Sequence, residues 1–411
     1  MRKQLAGTSA LIWSLLAGSA WAQQATPAVI LPPSSVANPA DAGKKAHTNY
    51  RYLAVPPDIA PPALHGPNPM VPPGSGNFET PASLACIYGL VPKTMACNPR
   101  KVTANVAGGS KAIAIVDAFD DPTVLADLKA YSTQFGLPAI TAANFQVVFA
   151  SGTRPPRDDG WGLEIALDVE MAHALAPKAK VFLVEAASNS FADLLFAERK
   201  AAALVAAAGG GEVSNSWGSN EFAAETGSAF TAPFTKAKVV FFASTGDNQS
   251  PSFPAVAPNV VAAGGTTVNR TAAGDFVGET SWSEAGAGPS AFFPRPSFQN
   301  SVAPVVGSHR GIGDLAAVAN PNTGVWVRFR NQWHVLGGTS VSSPILAAIA
   351  NTAGHFATSN AAEEVRIYGA LGTGAFRDEK AGVCGVGHAL SAQIGYDFCT
   401  GVGSPVGKNG I

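Results

Sequence analysis

From about Thr80 onward the chain alternates short runs of β-branched and apolar residues with longer stretches of helical periodicity. The clearest runs are residues 113–116, 181–184, 239–242 and 260–263. That alternation predicts an α/β domain built on a mainly parallel sheet. Upstream the pattern is different: residues 27–73 hold 12 of the 31 prolines, including the pairs Pro32-Pro33, Pro56-Pro57, Pro61-Pro62 and Pro72-Pro73. Proline at that density favours extended backbone over a packed unit. We read 23–81 as a proline-rich leader or linker and 82–411 as the folded domain. No repeat of fixed period interrupts it.

In a parallel α/β sheet the functional loops lie beyond the carboxyl ends of the strands. Polar residues fall where this rule puts them. Asp117 follows the first run, the segment Ser214-Asn215-Ser216-Trp217-Gly218 follows Gly211-Glu212-Val213, and Asp247 follows the run ending at Phe242 after a short turn.

Composition narrows the function classes. Charged residues make up only 13% of the 411 and the formal charge is -1, which argues against a nucleic-acid partner. The start of the chain reads as a secretory signal at 1–22: Arg2 and Lys3, an apolar stretch from Ala10 to Leu16, and small residues closing in Ala20-Trp21-Ala22. A membrane anchor is the other reading, but the stretch is far shorter than the roughly 20 residues of a span. The later run 201–208 is also too short, so a secreted or periplasmic protein, not held in a membrane and monomeric, is expected. Export permits disulfides. The four cysteines form two local pairs, Cys86 with Cys97 and Cys384 with Cys399, which proximity favours among three possible connectivities. Zinc is disfavoured, because no Cys-x-x-Cys occurs and no histidine stands at ligand spacing.

Ser340 is the candidate nucleophile. It lies in Gly-Gly-Thr-Ser-Val-Ser-Ser-Pro at 337–344, on a tight turn before a helix whose first turn would hold Pro344. Backbone N–H groups there favour developing negative charge. The alternative is a serine that only caps the helix. A serine hydroxyl needs a base to become a useful nucleophile. Subtilisin-like enzymes use a histidine followed by Gly-Thr, and none of the seven histidines is so followed.

What the chain offers instead is the pair Glu164 and Asp168, four residues apart on one face of a helix that continues through Met171, Ala172 and Leu175. Like charges at this spacing destabilise an isolated helix by about 0.2–0.5 kcal/mol, and burial against an apolar stripe makes the repulsion worse. One shared proton relieves it and leaves a carboxyl able to accept and return a proton. Two solvated surface acids are the other reading.

These motifs together resemble the sedolisins, serine-carboxyl peptidases that share the subtilisin fold and use glutamate where subtilisins use histidine. The resemblance runs over roughly 82–411 in the expected order: Ala114 to Pro122, Tyr131 to Pro138, Glu164 and Asp168 before Ala176-Pro177, Ser214 to Gly218, Ser244-Thr-Gly-Asp247, Phe253-Pro-Ala255, Gly264-Gly-Thr266, the serine turn, and Gly395 to Pro405. A loose segment, Gly313 to Pro321, departs from the family pattern. The resemblance implies a three-layer subtilisin-like sandwich, with a mainly parallel sheet between helices.

It also implies roles. Ser340 is the nucleophile, Glu164 the general base and then acid, Asp168 the group that tunes Glu164, and Asp247 an oxyanion donor. Ser214, Ser216, Trp217 and Gly218 would bind substrate. A carboxyl donates a hydrogen bond only while protonated, so these roles imply hydrolysis of peptides or proteins at acid pH, below about pH 5. Asp117 occupies the subtilisin aspartate position and is given a structural or pocket-lining role. The family binds one structural calcium ion; by motif Asp378 and Asp397 would supply carboxylates, and Glu379 and Gly395 backbone carbonyls. A calcium-free loop braced by Cys384 and Cys399 is the alternative. Sedolisins usually carry a separately folded amino-terminal prodomain, and here only the stretch 23–81 stands in that place. Endopeptidase action is the leading reading, beside a tripeptidyl exopeptidase and a silent peptide-binding protein on the same fold.

Overall fold

A computed structural model of the chain describes residues 27–55, 59–61 and 77–411. The expected signal at 1–22 lies outside the described residues. The centre is an eight-stranded sheet. Seven strands run in the spatial order Phe276–Ser281, Val261–Arg270, Val239–Ser244, Gly211–Asn215, Ala112–Ala118, Lys180–Ala186, Phe145–Phe149, and Leu315–Val318 also pairs with Val261–Arg270. Every pairing is parallel except that of Phe276–Ser281.

The expected runs are the middles of real strands. The run at 260–263 underestimates its strand most, because Val261–Arg270 continues into an antiparallel edge pairing where Thr266, Asn269 and Arg270 suffice. Strand periodicity of two divides the core. In Ala112–Ala118, Ile113 and Ile115 join the helices on one face, while Ala112, Ala114 and Val116 join the core on the other. Asp117 shares the parity of Ile113 and Ile115, so it points toward the first face.

Two helices dominate that face. Asp159–Leu175 is capped by Asp158, whose side chain accepts Trp161 N–H, and ends two residues before Pro177. Every residue from Trp161 to Leu175 is buried, as expected of a helix packed on all sides. The second is Thr339–Ala353, which packs along it. Phe191–Ala207 covers the opposite face. Helices on both sides of a parallel sheet make the three-layer α/β sandwich.

The proline-rich stretch was set apart from the folded domain on sequence, yet part of it pairs with that domain. Val29–Ile30 pairs with Arg51–Leu53, which pairs in turn with Gln332–Gly337. His47–Thr48 pairs with Trp217–Asn220. Cys86–Cys97 and Cys384–Cys399 are disulfide-bonded. Among the described residues no helix is long and apolar enough to cross a membrane.

Candidate active site

Glu164 and Asp168 are fully buried beneath the serine turn. The Ser340 hydroxyl donates to Glu164 Oε2 at 2.8 Å. Asp168 Oδ1 accepts the Ser216 hydroxyl at 2.7 Å. One oxygen of each acid, Glu164 Oε1 and Asp168 Oδ2, is buried with no hydrogen-bond partner. Burial raises the pKa of Glu164 well above the ordinary carboxylate range, and the charges of Asp168 and Asp117 add to it; the Ser340 and Asn49 hydrogen bonds oppose the rise. Burial likewise raises Asp168, against the Ser216 hydrogen bond. Two such acids and two spare oxygens are the setting for a shared proton.

Ser340 sits one residue inside its helix, after Gly338 at φ +111°. Pro344 lies within the helix and not in its first turn as expected. Proline has no N–H for the carbonyl four residues back. That carbonyl belongs to Ser340, and the Ser216 hydroxyl approaches it at 3.2 Å. In return the Ser340 hydroxyl lies 3.2 Å from the Ser216 carbonyl. The helix defect thus ties the serine to the junction between Gly211–Asn215 and Trp217–Asn220.

Asp247 closes the other side. Its Oδ1 accepts Thr339 N–H at 2.8 Å and the Thr339 hydroxyl at 2.9 Å, while Oδ2 is buried without a partner. Burial pushes its pKa up to about 7, against the Thr339 hydrogen bonds and the Arg51 charge. Below that value Asp247 is a neutral acid with one oxygen free to donate.

The expected substrate residues divide. The Ser216 hydroxyl reaches Asp168, Trp217 and Gly218 pair with Thr48 and His47, and the buried Trp217 ring is pinned by its N–H to the Val116 carbonyl at 2.9 Å. Ser214 does not join them: it lies within Gly211–Asn215, and its hydroxyl meets Ser343 at 2.8 Å inside the molecule. Strand pairing carries its side chain inward to the serine helix. Asp117 makes no hydrogen bond through either oxygen, and burial together with the charges of Asp168 and Glu185 raises its pKa well above the usual range.

Sequence reading missed Asn49. Its backbone N–H approaches Glu164 Oε2 at 3.3 Å, its carbonyl accepts Ser340 N–H at 3.0 Å, and its side-chain amide donates to Ser244 at 2.7 Å. Arg51 beside it donates to the Asp247 carbonyl at 2.6 Å. A signal existed: between Pro39 and Pro56 the stretch is free of proline and carries Tyr50 and Tyr52 in strand alternation.

Kumamolisin of Bacillus sp. (strain MN-32) is 30% identical over 366 residues, covering 81% of this chain and 65% of kumamolisin. Sedolisin of Pseudomonas sp. (strain 101) is 33% identical over 173 residues, covering 39% of this chain and 29% of that protein. The chain belongs to the sedolisin family. It spans about two thirds of kumamolisin and under a third of sedolisin in these matches. The solved structure of Pseudomonas sedolisin, a serine-carboxyl proteinase complexed with pseudo-iodotyrostatin, superimposes with a TM-score of 0.67 at 24% identity, over 81% of this chain and 96% of that one. A psychrophilic protease, S41, follows at TM-score 0.53 and 18% identity, over 80% and 99% of the two chains. No protein-family model matches. The sedolisin fold is therefore common ground.

The calcium residues expected of a sedolisin converge on one loop. Asp378 Oδ2 accepts Gly395 N–H at 3.2 Å, and Asp397 accepts the N–H groups of Gln393, Cys399 and Thr400 at 2.8–2.9 Å. Glu379 turns its carboxyl away to Ser404, which leaves only its carbonyl for a metal. Among the described residues no group of three or more metal-ligating side chains occurs. Carboxylates and backbone carbonyls are the oxygen donors a hard cation takes, but here the oxygens of Asp397 and Oδ2 of Asp378 are already hydrogen-bonded to backbone N–H groups.

Proposed function

We propose that this chain is an exported serine-carboxyl endopeptidase that hydrolyses peptides or proteins in acid. One observation carries the reading: the Ser340 hydroxyl is hydrogen-bonded to a buried carboxyl, Glu164, at 2.8 Å, where a histidine would otherwise stand. Ser340 Oγ attacks the substrate carbonyl while Glu164 takes its proton, and Glu164 then protonates the leaving amine. Asp168 shares the charge of Glu164. The Ser340 N–H and the protonated Asp247 stabilise the oxyanion.

The same groups set the pH window. Asp247, with its pKa near 7, loses its donor as pH rises through neutrality. Turnover should therefore be high in acid and fall steeply between about pH 6 and pH 8.

Endo action is supported by the path of residues 46–53, which enter the cleft beside Trp217 and leave it beside Leu336 as continuous chain. A groove that passes a polypeptide in both directions suits an internal cut. Disulfides are consistent with export. We also propose that Asp378, Asp397 and the carbonyls of Glu379 and Gly395 hold one calcium ion, which would brace the carboxyl-terminal loop without taking part in the chemistry. A chelator that lowers the melting temperature, with recovery on adding calcium, tests it; no change refutes it.

The deciding measurement is hydrolysis of a long unstructured peptide from pH 3 to pH 8, with Ser340→Ala as control and the cut positions mapped. Loss in the variant and internal cuts support the proposal. Equal turnover in the variant overturns it, and removal of amino-terminal tripeptides alone overturns the endo assignment.

A further inference from the structure

Residues 46–53 run through the cleft as extended chain, and their register labels its subsites. On one side His47 and Thr48 pair antiparallel with Gly218 and Trp217. On the other Arg51 and Tyr52 pair antiparallel with Gly337 and Leu336. The Asn49 carbonyl accepts the N–H of Ser340 at 3.0 Å, so the peptide bond opposite the serine is the one to Tyr50, and Arg51 is the second residue beyond it. The Arg51 side chain, 20% exposed, turns onto the protein. One guanidinium nitrogen donates to the Asp247 carbonyl at 2.6 Å and lies 3.3 Å from Glu284 Oε2. The guanidinium carbon stands 5.6 Å from the centre of the Trp282 ring. A carboxylate, a carbonyl and an aromatic face are three ways of attracting one cation.

Glu284 is held in place by groups other than the arginine. The Ser283 hydroxyl donates to its Oε1 at 3.3 Å, His388 Nε2 lies 3.3 Å from the same oxygen, and the Gln249 amide reaches both oxygens at 3.4 Å. Burial works to raise the pKa of this carboxyl, but the hydrogen bonds from His388, Gln249 and Ser283 and the Arg51 charge together hold it below the ordinary value. The backbone beneath is fixed as well. Gln249 N–H donates to the Glu284 carbonyl at 3.1 Å, and Gly286 N–H to the Gly246 carbonyl at 2.8 Å. Glycine permits this approach, since a Cβ at Gly286 would overlap the Thr245 carbonyl. The turn that carries Glu284 is thereby locked to the turn that carries Asp247, which is the support a recognition site needs.

We infer that Glu284, Trp282 and the Asp247 carbonyl form a subsite for a basic side chain two residues beyond the cut bond, so that this peptidase selects polypeptides with arginine or lysine there; this rests on the peptidase reading above. Arg51 fills the subsite in the folded chain, and a substrate entering the cleft replaces residues 46–53 along the same two strand edges. The chemistry suits an enzyme that works in acid. As pH falls through about 4 the carboxyl side chains of a substrate become neutral, whereas its basic side chains keep their charge, so a cation is the charged feature left to be read. Arginine should be taken better than lysine, because its planar guanidinium stacks on the indole face while still reaching the carboxylate. The position lies on the amine side of the cut, so its contribution is made before the acyl-enzyme forms and appears in kcat/KM.

The test measures kcat/KM of the full purified chain at about pH 5, where a glutamate in a peptide is still largely ionised. One peptide is used in versions that differ only at the second residue after the cut, which is arginine, lysine, glutamine, leucine or glutamate, and the cut position is mapped in each. Arginine should exceed glutamine by about tenfold and lysine by about fivefold, and glutamate should fall below glutamine. Glu284→Lys should invert the order, so that glutamate exceeds arginine. Glu284→Gln should reduce the arginine advantage to about threefold, the share left to Trp282 and the Asp247 carbonyl. Each result is a ratio within one protein, so a loss of folded enzyme cancels; if Glu284→Lys does not fold, the ratio in Glu284→Gln decides. Equal rates across the peptides, or a preference for arginine that neither substitution moves, overturn the subsite and leave the peptidase reading standing. Inertness of the parent chain toward every version overturns both.

Discussion

Two parts of this molecule bury carboxyl groups, and they do so to opposite effect. Around Arg310, Asp314 is fully buried but fully partnered. Its Oδ1 accepts Arg310 at 2.7 Å and the Tyr368 hydroxyl at 2.6 Å, and its Oδ2 accepts Arg310 at 2.5 Å and Ala262 N–H at 2.7 Å. Burial works against the Arg310 charge, yet the neighbouring Asp314 holds its pKa above the ordinary range. Beneath the cleft, among the described residues, Glu164, Asp168 and Asp117 have no guanidinium against them and four oxygens among them without a partner. A buried carboxyl with a fixed cation is a strut. A buried carboxyl without one is a place to keep a proton.

The largest way to break the comparison is at the serine. Ser340→Ala or Glu164→Gln should lower kcat/KM by roughly 10⁶-fold while the melting temperature hardly moves. Asp168→Asn should cost on the order of 10⁴-fold, as loss of the group behind a base does. Arg310→Ala should do the reverse: activity per folded molecule persists, while urea titration gives a loss of about 3–5 kcal/mol because the buried Asp314 carboxyl loses its guanidinium and keeps only Tyr368 and Ala262 N–H. Asp247→Ala should cost about 10²–10³-fold. Asp247→Asn keeps a donor at every pH, so its pH–rate profile should extend further into alkali than that of the parent.

A smaller effect concerns the fold. Glu185, Glu198, Glu212 and Glu379 are raised by burial from the ordinary 4.5 to about 8, and Glu225 to about 9. A carboxyl raised in the folded state favours folding when protonated, so this stability is present in acid and is lost as pH rises from the unfolded value through the folded one. His173, lowered by burial to about 4, acts oppositely and weakens the fold as pH falls below 6.5. The carboxyls outnumber it, and calorimetry should show the melting temperature falling by about 5 °C or more between pH 5 and pH 8. Smallest of all, Asp117→Asn should leave the rate near normal, since neither of its oxygens bonds a working group.

The parallel sheet and the two-acid helix were legible because each obeys one local rule: short β-branched runs for the strands, and spacing of four for Glu164 and Asp168. Ser340 was legible by its glycine turn. What escaped is non-local. Ser214 and Ser216 are two residues apart in one motif, but a strand edge between them sends one hydroxyl to the interior helix and the other to Asp168. The helix position of Pro344 depends on a hydroxyl supplied from far upstream, at Ser216. Asn49 was hidden by its surroundings, since proline density describes the average of a stretch and not the window inside it that can pair.

The partnerless carboxyls also bear on how the native protein migrates in an electric field. The formal charge of -1 counts every one of the 28 acids as ionised. Glu185 and Glu198, raised by burial to about 8, and Glu225, raised to about 9, each keep a buried oxygen without a partner and stay largely protonated at neutrality while the chain is folded. The folded molecule therefore carries more positive charge than its composition states, and isoelectric focusing should place the native band at higher pH than the band obtained in urea.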